Sequence, residues 1–151
     1  MGIKKSLKPY GDLMKKYYLK CKNVTIGFFT EEDGELRYTP IREEADKLPI
    51  LIGYPRGLFE IDKTVTPWIP DKNKVRNEYS IYRWLENRVV SRRKFASRIL
   101  LQRLGLKEYN AWEIVKKTKG LTYCDNFWIT DNIHETFPRE KDKKRGDNTD
   151  E

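Results

Sequence analysis

The side chains best suited to a chemical role in this sequence are arginines and lysines, which crowd two consecutive predicted helices between residues 82 and 107. A cation placed against a phosphate adds affinity because it releases counterions held by the nucleic acid. The candidate contact residues are Arg83, Arg88, Arg92, Arg93, Lys94, Arg98 and Arg103. They predict a basic helical face for nucleic acid or protein, and the alternative is an ordinary solvated surface.

Catalytic and metal-binding patterns are missing from the sequence. His134 is the only histidine, and Cys21 and Cys124 are the only cysteines, too few for a four-ligand zinc site or a Ser-His-acid triad. Glycine-rich phosphate loops are absent, and paired acids such as Glu43 and Glu44 are expected on the surface. We therefore expect no catalytic residue, metal or cofactor, and we expect both cysteines to be small buried thiols.

Charge is distributed unevenly along the 151 residues, whose formal net charge is +8. Residues 1–22 carry seven basic side chains and one acidic side chain, whereas residues 23–62 carry four basic and nine acidic side chains. Residues 63–119 carry fifteen basic and five acidic side chains, and residues 120–151 carry five and eight. This bipolar pattern favours association with polyanions or acidic protein surfaces.

The first half of the chain has the pattern of β-strands. Residues 17–39 contain three runs rich in β-branched and aromatic residues, and the Asp33-Gly34 pair between the second and third is a hairpin signal. Residues 41–48 predict a short helix, and residues 49–54 predict a buried strand or apolar strap. The segment 53–74 holds three of the seven prolines and is expected to be irregular, with Phe59, Trp68 and Ile69 buried.

Three helices are predicted in the second half. The first spans residues 75–88, and the second runs from an N-cap at Ser91 to a stop at Gly105. Its buried arc is expected to contain Phe95, Ala96, Ile99, Leu100 and Leu104. The third begins after Asn110, with Glu113 completing a capping box, and ends at Gly120. We expect its Trp112 and Val115 to contact the second helix, and residues 127–129 to return as a strand to the sheet.

These elements predict an α+β fold in which a small antiparallel β-sheet packs against three short helices. The expected organisation is a basic flexible arm (1–16), one domain (17–135) and a disordered charged tail (136–151). Within the domain, a sheet-rich half (17–52) is joined to a helical half (75–135). Apolar runs as long as the roughly 18 residues of a membrane span are absent. We expect a cytoplasmic protein without a membrane partner.

A resemblance to a known family lies in the second half. The chain contains, in order, the runs WLENR, SRRKF, ILLQRLGL, WEIVKKTKGL and DNFWI. This order resembles the small N-terminal accessory module of HipA-like kinase proteins from mobile elements of Gram-positive bacteria. The matching features are the arginine-containing helix with Arg92 and Arg93, the LGL corner at 104–106, the T-x-G-L segment at 118–121 and the D-x-x-W strand at 125–128. Here a charged tail stands where the kinase domain would follow, so the resemblance implies a module without kinase activity.

The leading hypothesis is a non-catalytic regulatory module, encoded by a phage or mobile element, that binds a macromolecular partner through the basic helical face. One alternative is an inhibitor of a host defence nuclease that binds the protein or its nucleic acid. Another is a regulator that binds DNA or RNA. The expected partner is thus a protein, a nucleic acid or a complex of the two.

Overall fold

The computed structural model describes residues 14–65, 68–89, 96–122 and 124–138. These residues form an α+β fold with a four-stranded antiparallel sheet, a two-stranded sheet and several short helices, as predicted. The strands are β1 (Tyr17–Cys21), β2 (Val24–Glu32), β3 (Glu35–Pro40), β4 (Phe59–Ile61), β5 (Pro70–Val75) and β6 (Phe127–Thr130). The helices are α1 (Arg42–Ala45), α2 (Ile50–Gly53), α3 (Glu78–Glu86), α4 (Ala96–Leu104) and α5 (Ala111–Thr118).

The four-stranded sheet has the order β3-β2-β1-β6. Its β2–β3 hairpin turns at Asp33 and Gly34, whose φ angles of 52° and 81° are both in the left-handed region that a tight hairpin turn requires. Strand β6 pairs with β1, where Leu19 lies opposite Ile129. The predicted turn and the predicted return of the last strand are both confirmed.

The main core lies between one face of this sheet and the helices. The sheet contributes Leu19, Ile26, Phe29, Leu36 and Tyr38, all buried. Helices α3 and α5 contribute Ile81, Leu85, Trp112 and Val115. Trp112 packs against Tyr17 and Phe29 of the sheet, with ring centroids 5.1 and 5.6 Å apart. Helix α5 contacts both α3 and α4, and its contact with α3 is the more extensive.

The connection between the two halves is more regular than predicted. Strands β4 and β5 form the two-stranded sheet, with Phe59 opposite Val75. Phe59 is buried as expected, but Trp68 is exposed. The expectation failed because β4 has only three residues and β5 is mostly polar, so neither shows an apolar alternation.

The segment after Pro49 is a helix, not a strand or buried strap. Helix α2 begins at Ile50, and the amides of Ile52 and Gly53 both donate to the carbonyl oxygen of Pro49. Leu51 and Ile52 are exposed. Proline is well tolerated at the start of a helix, which a short apolar run does not distinguish from a strand. The predicted helix before it is confirmed as α1.

The helix ends follow the capping signals. Helix α3 begins at Glu78, later than predicted, because Asn77 caps it by accepting a hydrogen bond from the Ser80 amide. The predicted end of the second helix at Gly105 is confirmed, since Gly105 has a left-handed φ of 72°. Asn110 caps α5 as predicted. The stop after α5 differs, because Lys119 itself adopts the left-handed conformation with a φ of 65°.

Residues next to both predicted boundaries of the domain contact it. Lys15 forms an ion pair with Asp131 at 3.2 Å, so the end of the basic arm contacts the domain. Phe137, predicted to lie in the disordered tail, is buried beside Trp128. Cys21 is half-buried and Cys124 is exposed, so the expectation of a buried thiol was wrong for Cys124. Residues 1–13 and 139–151 lie outside the described residues.

Candidate binding surface

Helix α3 is the scaffold of the candidate surface, and two contacts fix it on the sheet. At its first turn, Oε2 of Glu78 accepts a hydrogen bond of 2.7 Å from the amide of Leu36, on the outer edge of β3. Along its inner face, Ile81 and Leu85 are buried in the core. The opposite face of the helix is therefore held toward solvent.

Arg88, at the end of this scaffold, is not a contact residue. Its guanidinium group donates to Oδ2 and Oδ1 of Asp125 at 2.9 and 2.6 Å. It also donates to the carbonyl oxygens of Gly120 and Phe127 at 2.9 and 2.8 Å. Because Arg88 is buried and makes these four hydrogen bonds, its predicted role in binding a partner is wrong, and its role is structural.

Three of the other predicted cations are exposed: Arg83 on α3, and Arg98 and Arg103 on α4. None of the three forms an ion pair with an acidic side chain among the residues that the structure describes. The remaining predicted cations, Arg92, Arg93 and Lys94, lie outside the described residues. The charged face is thus present on both helices, without Arg88.

Helix α4 is turned relative to the prediction. Ser97 is its buried residue, whereas Ile99, expected inside, is 41% exposed, and Ala96 is also exposed. Leu101 and Leu104 lie four and seven positions after Ser97, so all three share one stripe of the helix. The prediction failed because apolar residues occur on both sides of this stripe. An open hollow of about 270 Å³ lies on the exposed side, lined by Ala96, Ile99, Leu100 and Arg103.

Two exposed aromatic residues near α3 were not predicted as functional. Tyr79 is 68% exposed, and Arg83, one turn later, places its guanidinium 5.9 Å from the ring centroid and donates to the hydroxyl at 3.2 Å. Trp68 is 63% exposed, with the Arg56 guanidinium 5.6 Å from its ring centroid. We call Arg56, Trp68, Tyr79 and Arg83 the aromatic–arginine surface. The i, i+4 spacing of Tyr79 and Arg83 was the only signal in the sequence.

The loop before β4 packs closely against α3. Gly57 lies so close to α3 that an added Cβ would be 2.0 Å from Cδ1 of Trp84. The backbone of Arg56, the residue before Gly57, is also held in place, because the Arg56 carbonyl oxygen accepts a hydrogen bond of 2.9 Å from Nε of Arg76. The loop that carries Arg56 therefore packs against the helix that carries Tyr79 and Arg83.

A shallow groove of about 250 Å³ separates the two-stranded sheet from the start of α3. It is lined by Glu60, Ile61, Lys63, Arg76, Asn77 and Ser80. Two cations and one carboxylate therefore line this groove. Arg76 is held in place by hydrogen bonds from its Nε to the carbonyl oxygens of Arg56 and Phe59.

Residues 31–35 form the acidic tip of the β2–β3 hairpin, and most of their carboxylates are paired with basic side chains. Arg37 forms ion pairs with Glu32 and Glu35 at 3.4 and 2.8 Å, and Lys116 contacts Glu31 at 3.8 Å. An inhibitor of a nuclease that imitates nucleic acid would need a surface of uncompensated negative charge, so this arrangement disfavours the hairpin as such a surface.

Other titratable groups have structural surroundings. Burial lowers the pKa of Lys20, whose Nζ donates to the carbonyl oxygens of Ile133 and Glu135 at 2.9 and 2.8 Å. Burial disfavours the charged form of Tyr38 as well, and it therefore raises the pKa of this core tyrosine. Within residues 14–138, apart from the gaps stated above, the acids, histidine and cysteines form no group that could hold a metal ion. The helices of the same residues include none that is long and apolar enough to cross a membrane.

The surface is therefore defined by its chemistry: exposed arginines that have no acidic partner in the described part of the chain, and two exposed aromatic rings that each contact an arginine. Comparison of the chain with protein-family models, curated proteins and solved structures finds no match.

Proposed function

We propose that the protein is a non-catalytic binding module that regulates a macromolecular partner through the basic side of α3 and α4. The observation that supports this most directly is the exposure of Arg83, Arg98 and Arg103 without ion-pair partners among the described residues. Solvated cations that have no acidic partner among these residues remain available to phosphates or to acidic side chains of a partner.

The proposal keeps the predicted surface with one residue removed. Arg88 is excluded because its hydrogen bonds hold α3 against β6. Arg92, Arg93 and Lys94 stay in the proposal because they directly precede α4 in the sequence. The regulatory role, the mobile-element origin and the cytoplasmic location rest on the resemblance to HipA-like accessory modules and on composition.

Charge reversal tests this proposal. The triple variant Arg83→Glu, Arg98→Glu, Arg103→Glu is compared with the wild-type chain in affinity capture from the native host, with and without nuclease treatment. We expect the variant to lose the partner that the wild type retains, while its helical circular dichroism signal is unchanged.

The matched control is Lys22→Glu, Lys47→Glu, Lys117→Glu, which changes the net charge equally at exposed positions outside α3 and α4. This control should retain the partner. Equal capture by both variants and the wild type would rule out the basic face. Loss of the partner in both variants would indicate an effect of net charge alone and would also refute the assigned surface.

A second candidate function is the binding of DNA or RNA. The specific observation in its favour is the pairing of exposed aromatic rings with arginines, since aromatic stacking and cations are the two contacts that nucleic-acid-binding proteins combine. In the capture experiment, loss of all recovered material after nuclease treatment would favour this candidate.

A further inference from the structure

We infer that the aromatic–arginine surface binds single-stranded nucleic acid, with bases stacked on Trp68 and Tyr79 and phosphates bound by Arg56 and Arg83. The inference rests on the proposed function, because it names the partner class of a surface that includes the exposed side of α3. It extends that surface from the helices onto the hairpin of β4 and β5.

The exposure of these two rings is unusual within this molecule. Among the aromatic side chains of the described residues, only Trp68 and Tyr79 are exposed, and the others are buried or half-buried. An exposed indole leaves a large apolar area in water. Both exposed rings also have an arginine guanidinium within 6 Å of the ring centroid. This coincidence distinguishes the pair from scattered surface hydrophobic residues.

The two exposed rings suit the unpaired bases of a single strand better than a double helix. A base can stack only if it is free of its own neighbours, so an aromatic platform selects single strands. The arginine that contacts each ring can neutralise the phosphate beside a stacked base, and its stacking on the ring adds a cation–π contribution. Trp68 belongs to the hairpin of β4 and β5 and Tyr79 to α3, and residues of both elements line the shallow groove, so the proposed strand runs along this groove.

The groove carries charges suited to a phosphate backbone. Lys63 and Arg76 line it together with Ser80, a neutral hydrogen-bonding group, and Glu60 is its one carboxylate. Two cations in the groove and two at the rings outnumber this acid. A protein partner anchored on the two rings would instead favour an apolar surround, whereas the lining here is mostly polar and charged.

Oligonucleotide binding tests the inference directly. The full chain is titrated into fluorescein-labelled oligo(dT) and oligo(U) of about 16 nucleotides, and into a duplex of the same length, with fluorescence anisotropy as the readout. We expect tighter binding of the single strands than of the duplex. Trp68→Ala and Tyr79→Ala should each weaken single-strand binding by about 5- to 150-fold, the range for loss of one base stack. Trp68→Phe should retain most of the affinity.

Leu51→Ala is the control, since Leu51 is an exposed apolar residue on α2 and should bind like the wild type. Unchanged affinity in Trp68→Ala and Tyr79→Ala would overturn the inference. If the triple reversal of Arg83, Arg98 and Arg103 still abolished binding in that case, the proposed function would stand.

A protein partner gives a different result. Oligonucleotides would then fail to bind, and Trp68→Ala would lose a nuclease-resistant protein in the capture experiment. This outcome also overturns the inference and leaves the proposed function intact. Failure of both the oligonucleotide and the charge-reversal experiments would refute both proposals.

Discussion

The guanidinium group of Arg88 and the carboxylate of Asp125 form a two-point ion pair, with N–O distances of 2.9 and 2.6 Å. The Arg88 side chain is 5% exposed and that of Asp125 is 34% exposed. The guanidinium also lies 4.8 Å from the Trp84 ring centroid. One side chain thus ties the end of α3 to the segment before β6, and this contact positions the helix that carries Arg83.

Replacement of Arg88 by alanine should destabilise the whole domain. The substitution removes the guanidinium donors from the Asp125 carboxylate and from the carbonyl oxygens of Gly120 and Phe127, and the amide of Phe127 still donates to Asp125. Breaking a buried ion pair by removing one partner costs about 3–5 kcal/mol, and the exposure of Asp125 places the expected loss near the lower end, at about 3 kcal/mol. The measurement is the free energy of unfolding from urea titration.

Arg103→Ala is the matched control for this experiment. Arg103 is exposed on α4, and surface substitutions of this kind usually change stability by less than about 0.5 kcal/mol. Equal stability of the two variants would contradict the structural role assigned to Arg88.

The same ion pair predicts how stability depends on pH. Burial raises the pKa of Asp125, but its hydrogen bonds with Arg88 and the charge of Arg88 outweigh burial and hold the pKa below its usual range. A carboxyl with a lowered pKa in the folded state stabilises the protein above its unfolded pKa, about 3.9 for aspartate. This contribution is lost as the pH falls through the folded pKa.

Urea titrations between about pH 7 and pH 3 measure this dependence, with the main decline expected below about pH 4. Asp125→Asn removes the titrating group, so its stability should be lower at neutral pH and decline less steeply with acid. Glu135, whose pKa is also lowered because hydrogen bonds from Lys119 and Thr130 outweigh its burial, should maintain part of the decline in that variant. An identical pH profile for Asp125→Asn and the wild type would refute the assignment.

The sequence predicted correctly those features of the fold that a few neighbouring residues determine, such as turns and helix ends. The turn at Asp33 and Gly34, the cap at Asn110 and the stop at Gly105 each depend on a few adjacent residues. The buried face of α4 was predicted wrongly, because leucines on several sides of the helix leave its orientation to be decided by packing against α5.

The candidate site shows the same limit more clearly. Arg83 and Arg88 differ by five positions on one predicted helix, and residue type alone gives both the same expected role. Asp125, which makes Arg88 structural, is 37 residues away in the sequence. Trp68 was expected in the core because of its size, and its exposure follows from the position of a hairpin that has no clear apolar alternation.

Two buried tryptophans provide a comparison of paired and unpaired indole groups. Trp112 is 1% exposed and Trp128 is 0% exposed. Nε1 of Trp128 donates to the Lys22 carbonyl oxygen at 2.6 Å, whereas Nε1 of Trp112 has no hydrogen-bond partner among the residues that the structure describes. A buried donor without a partner costs about 1–3 kcal/mol, which its removal recovers.

Substitution by phenylalanine should therefore affect the two positions differently. Both variants lose ring area, but Trp112→Phe also removes an unsatisfied donor, whereas Trp128→Phe removes a hydrogen bond. We expect Trp128→Phe to reduce the free energy of unfolding by about 1 kcal/mol or more beyond the effect of Trp112→Phe. The reverse order, measured by urea titration, would show that the Trp112 indole group is satisfied in solution.

Phe137 should contribute to stability even though it lies in a segment, residues 136–151, that is mostly polar and charged. Its ring is 2% exposed and its centroid lies 6.0 Å from that of Trp128, and its amide donates to Oδ1 of Asn23 at 2.7 Å. Phenylalanine-to-alanine substitutions in a core cost about 3–5 kcal/mol, so Phe137→Ala should lower the free energy of unfolding by about 3 kcal/mol. Thr136→Ala, at the exposed neighbour, should have little effect. If urea titration found the two variants equally stable, residues 136–138 would behave as the disordered tail that composition alone indicates.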